Sequence, residues 1–166
     1  MPLPPESHRL RPDHLPTPFS ADQIRDACPV GRLIRIRETE PGRDPTFREV
    51  RYLAADPEGA RQAFTPTDAD GQPIGPSVER RSTWLDLQGH ASQPADRTTL
   101  TETTVALAWG EEPAWLYVVR DDEGGAETRF WFAQRHAGMP VVVESWTGGE
   151  LVERREVIST AVVGSD

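Results

Sequence analysis

A chain of 166 residues with a formal net charge of −9 has room for one domain, and its acidity opposes binding to a phosphate backbone or to an anionic membrane surface. No run approaches the ~20 apolar residues of a membrane span and Met1–Leu10 lacks an apolar leader core, so a cytoplasmic chain with no nucleic-acid partner and no membrane span is expected. One cysteine, Cys28, excludes an intrachain disulfide, and the absence of lysine excludes Schiff-base chemistry and a lysine-bearing phosphate loop.

Residues 1–18 contain six prolines and few apolar anchors, which predicts a disordered, extended, unpacked tail in which His8 and His14 are solvated. A single β-rich domain is expected over residues 19–160, with a short tail at 161–166. Ser20 and Gln23 form an S-x-x-Q capping box, and Phe19 can staple onto Ile24, so a helix starts here and ends before Pro29. From Gly31 the period becomes two: Ile34 and Ile36 share one side, Arg35 and Arg37 the other. A partner strand follows at Phe47–Leu53.

A further hairpin is expected from Gly59–Thr67 and Gln72–Arg80, turning at Asp68–Gly71. Asp68-x-Asp70-Gly71 resembles the start of a calcium loop, but Ser77 stands where a bidentate acid would be required, so the reading is a plain turn and no metal site. Ser82 or Thr83 can cap a short helix carrying Trp84, Leu85 and Leu87. Thr98–Trp109 then leads into a meander of Ala114–Arg120, Glu127–Ala133, Val141–Trp146 and Glu150–Ile158. Val, Tyr, Phe and Trp suit its pleats, and Gly124–Gly125 and Gly148–Gly149 suit its turns. The chain therefore reads as mainly β (α+β), a curved antiparallel sheet of about eight strands with two short helices.

No nucleophile elbow, zinc-binding helix motif or dinucleotide fingerprint is present, and no cofactor is expected. His90 and His136 sit in loops beside aromatic strands, where a pair brought together would serve acid–base work; ordinary loop hydrogen bonding explains them as well. Arg80-Arg81 and Arg154-Arg155 have the chemistry to grip a carboxylate or phosphate, although solvent-facing strand ends account for them too. Acidic Glu111-Glu112 and Asp121-Asp122-Glu123 read as solvated turns. Trp109, Trp115, Tyr117, Phe130, Trp131, Phe132 and Trp146 crowd adjacent strands on both faces, leaving three uses open: core, cavity wall or partner interface.

The segment Phe130-Trp-Phe-Ala-Gln-Arg-His-Ala-Gly-Met-Pro-Val141, followed by the Gly148-Gly149-Glu150 hairpin and the strand to Ile158, resembles the periplasmic lipoprotein-carrier (LolA-like) superfamily over about residues 99–158. That resemblance implies an unclosed half-barrel with helices over its concave face and an acyl chain held between them. The expected function is a noncatalytic binding module for an apolar small molecule or acyl chain, its candidate ligand-binding residues being Trp115, Tyr117, Phe130, Phe132, Trp146, His90 and His136. The alternatives are an interaction module that docks a protein partner through the sheet or the proline-rich tail, and an enzyme with a dispersed histidine site. Trp84–Ala91 matches no carrier motif.

Overall fold

Alternation decides the architecture. In β1 (Arg32–Thr39) Ile34 and Ile36 are buried and Arg37 is exposed, so the strand has one apolar face that needs a cover. The computed structural model describes residues 2–121, 123 and 125–164. Among these, the chain continues through the strands β2 (Thr46–Ala55), β3 (Gly59–Thr67), β4 (Val78–Thr83), β5 (Thr98–Leu107), β6 (Gly110–Arg120), β7 (Ala126–Ala133), β8 (Val142–Thr147) and β9 (Glu150–Val162). They form one open antiparallel sheet in the order β4-β3-β2-β1-β9-β8-β7-β6-β5. The expected curved antiparallel sheet with two short helices is therefore present, with nine strands instead of about eight.

The sheet consists of two runs of consecutive hairpins, β1–β4 and β5–β9, joined only where β1 meets β9. Arg32 pairs with Val162 and Thr39 with Arg154 across that junction. Gly31 closes it: its φ is +91°, and a Cβ there would collide with the Val163 carbonyl, whose own amide donates to Gly31 O at 2.8 Å. Pairing thus carries β9 beyond Ile158 into the segment expected as a tail. β4 starts at Val78, later than Gln72, because Pro73 and Pro76 lack amides for a continuous ladder. Gly124 of the anticipated Gly124–Gly125 turn, Asp122 of the acidic turn, Met1, Ser165 and Asp166 lie outside the described residues.

Two helices cover the face that carries Ile34 and Ile36. In α1 (Ala21–Ala27) the capping box is formed as expected: Ser20 Oγ accepts from Gln23 N at 3.2 Å and Gln23 Oε1 accepts from Ser20 N at 3.0 Å. α2 (Trp84–Gly89) is capped by Thr83, and Trp84 Nε1 donates to Asp56 O at 2.8 Å, tying the helix start to the β2–β3 turn. Cys28 at the end of α1 is a buried free thiol whose pKa is pushed up by burial, which holds it in the unreactive protonated form. At the β3–β4 turn, Asp68 Oδ1 accepts from Asp70 N and Gln72 N, both at 2.9 Å, so that carboxylate shapes the turn.

The N-terminal segment corrects the sequence reading. Residues expected to form an unpacked tail instead lie against the sheet and the crossover from β4 to β5. His14 bridges Pro94, Leu15 N donates to Gln93 O at 2.9 Å, and Ala95 N donates to Asp13 O at 2.9 Å. Thr17 and Pro18 are fully buried, and His8 and His14, expected in solvent, are buried as well. Gln88 of α2 is the hub: its Nε2 donates to Thr17 Oγ1 at 3.0 Å and its Oε1 accepts from Ala21 N at 3.0 Å. Periodicity cannot reveal such a segment, because its attachment is made by backbone amides and buried polar side chains, with little patterned apolar surface.

Candidate ligand cavity

Between the helices and the β2–β4 end of the sheet lies a cavity of about 550 Å³, within the roughly 300–1,000 Å³ typical of small-molecule sites. Strand pairing explains its wall. Val50 faces Phe64, Tyr52 faces Gln62, and Phe64 and Gln62 in turn face Val78 and Arg80, so successive strands bring one row of side chains to the same side. Ile24 of α1, Leu87 of α2 and His90 and Ala91 just after it close the opposite side; Phe130 and Phe132 of β7 and the Met139–Pro140 turn complete the enclosure. Most of these groups are apolar. Three arginines, Arg48, Arg80 and Arg155, also line it.

Of the seven residues expected to bind ligand, the cavity brings together Phe130, Phe132 and His90. Phe132 is a half-structural wall, 4% exposed and edge-on to both Phe19 and Tyr117 at ring separations of 6.4 and 5.5 Å. Tyr117 is fully buried under the N-terminal segment. Its hydroxyl donates to Pro16 O at 2.6 Å, and burial pushes the phenol well above its ordinary range. Trp115 stacks edge-on against Phe19 at 5.7 Å, with its Nε1 donating to Pro2 O at 3.3 Å. These two aromatics are occupied by the chain's own first residues.

Trp146 lies on the opposite face. There the Arg129 guanidinium sits 4.5 Å from its ring centroid and its Nε1 donates to Glu144 at 3.1 Å, within a charge ladder in which Arg154 also meets Glu144 and Arg37 meets Glu156. His136 is held apart from His90, 3.4 Å from Glu112 and edge-on to Trp109 at 5.5 Å. Burial alone would raise the Glu112 pKa, but hydrogen bonds from Trp109 and His136 and the nearby positive charges outweigh it and lower the value. The structure thus places the two histidines in separate neighbourhoods.

Tyr52, Phe64, Met139 and the arginines are lining residues that the sequence reading did not place in a site. A partial signal existed in the two arginine pairs. Period two splits each of them: Arg80 and Arg155 face the cavity, whereas Arg81 pairs with Asp56 at 2.8 Å and Arg154 with Glu144 at 2.5 Å.

The architecture defines a structural class, an open antiparallel sheet that is not closed into a barrel, with two helices laid over one face. Solved structures similar to the chain include the following three. A chain of the Pseudomonas aeruginosa MucA/MucB complex aligns over 84% of this chain and 54% of its own, at 14% identity and a TM-score of 0.55. This protein spans about half the length of that solved chain, and the likeness shows the fold alone. An exported protein with a YmcC-like fold from Bacteroides fragilis matches at 10% identity over 80% and 96% of the two chains, with a TM-score of 0.46. An outer membrane lipoprotein-sorting protein domain from Vibrio parahaemolyticus matches at 9% identity over 85% and 90%, with a TM-score of 0.29. No family model matches the sequence, and no curated protein matches it.

Proposed function

We propose that this protein is a noncatalytic binding module that holds an apolar small molecule or acyl chain between its helices and the concave face of the sheet. The observation that carries this reading is the cavity of about 550 Å³ walled by Ile24, Tyr52, Phe64, Leu87, Phe130 and Met139. Such a space excludes water from a chain laid along it, and each methylene buried contributes about 0.8 kcal/mol. A second reading, docking of a protein partner, is favoured by the similarity to a chain solved in the MucA/MucB complex.

The test is displacement of an environment-sensitive apolar dye from the purified monomer by a long-chain alcohol. Saturable binding in the micromolar range, about −8 kcal/mol, is expected. None of the tryptophans lines the cavity among the described residues, so dye emission is the proper readout and intrinsic fluorescence is not. A well-folded monomer that binds neither dye nor alcohol would overturn the pocket reading and leave the partner-docking one.

A further inference from the structure

Building on the binding-module reading, we infer that the ligand is an anionic amphiphile, an acyl chain ending in a carboxylate or phosphate, with its head group held by Arg80 and its chain in the cavity. The lining residues include three arginines and, among the described residues, no aspartate or glutamate. That is a marked local inversion in a chain of net charge −9. Clefts lined by one sign of charge over low-dielectric walls concentrate ligands of the opposite sign.

The three arginines are not equivalent. Arg48 Nε lies 3.3 Å and Arg155 Nε 3.6 Å from the same Glu38 oxygen, and Arg155 also reaches Glu153 at 3.7 Å. Their charges are largely offset, although neither Nε makes a hydrogen bond. Arg80 has no carboxylate partner among the described residues. Its guanidinium is 5.5 Å from the Phe64 ring centroid, which fixes it against the apolar wall while leaving its outer N–H groups to solvent. The positive excess is therefore concentrated at an exposed arginine that borders the apolar space. A planar guanidinium in that position matches a carboxylate or phosphate with two parallel hydrogen bonds. The geometry suits an amphiphile, because the head stays at the water boundary and only the chain is desolvated.

Lauric acid, lauryl phosphate and lauryl alcohol share one chain and differ in the head, so competition of each against the bound dye isolates the head-group contribution. At least one of the two anions is expected to bind about tenfold more tightly than the alcohol. Arg80→Gln should bring that ratio close to one through a loss of anion affinity. Whichever anion binds more tightly identifies the natural head as carboxylate or phosphate, and either result supports the inference. Equal binding of all three to the unaltered protein overturns the inference and leaves the cavity reading intact. Failure of all three, alcohol included, overturns the reading beneath it. If Arg80→Gln weakens alcohol and anions alike, Arg80 acts by covering Phe64, and the head-group assignment fails.

Discussion

Deletion of residues 2–18 is expected to lower the melting temperature by on the order of 10 °C. The deletion removes the partners of the Tyr117 hydroxyl (Pro16 O) and the Gln88 amide (Thr17) and opens both side chains, fully and almost fully buried in the intact protein, to water. Each hydrogen bond lost costs about 1 kcal/mol, and the apolar surface of Tyr117 and Trp115 returned to water at roughly 25 cal/mol per Å² brings the sum to several kcal/mol. For a domain of this size each kcal/mol moves the midpoint by about 2–4 °C. Tyr117→Phe, which removes one hydrogen bond and keeps the ring, should cost only about 1 kcal/mol. Calorimetry on the two variants makes the comparison. A shift of a degree or two for the deletion would mean that the segment merely drapes over the sheet.

Phe132→Ala is expected to destabilise the fold by about 3–5 kcal/mol, whereas Phe130→Ala should cost much less and weaken ligand binding more. The two rings stack at 6.5 Å and both line the cavity, yet they hold different neighbours. Phe132 is wedged against Phe19 and Tyr117, linking the N-terminal segment to the sheet, and is 4% exposed. Phe130 is half-buried and carries no such cluster. Urea titration combined with dye affinity separates them: stability falls with one ring, binding with the other. Equal losses of stability from both would show that Phe130 is core as well.

Local chemistry was readable where neighbours in sequence are also partners in space. The capping box at Ser20 and Gln23, the Asp68 turn and the alternation of Ile34 and Ile36 are of this kind, and each formed as its residues require. The cavity was less accessible because its wall is assembled from β2, β3, β4, β7 and β9, whose proximity depends on pairings between distant segments. Trp146 illustrates the difficulty. Its sequence marks it as an aromatic strand residue, but its face follows from pairing with Glu127 and Leu151 beside an irregularity at Ser145/Trp146. Arg80 and Arg81 look identical in sequence, and only their opposite pleats give one the cavity and the other Asp56.

The junction of β1 with β9 has a kinetic consequence. Every other neighbouring pair in the sheet joins strands consecutive in sequence, so each half can zip from its own turns, while the closing pair brings Arg32 to Val162. Contacts between residues so far apart carry a heavy loop-closure cost and slow the search. β1, the neighbour of the central strand β9, is therefore the strand that waits longest for a partner, and during synthesis it keeps an unpaired edge until β9 has left the ribosome. Chains ending before Glu150 should show β1 amides that exchange rapidly with solvent, in contrast to the intact protein; protection of β1 in such chains would mean that the first hairpins are stable without the seam.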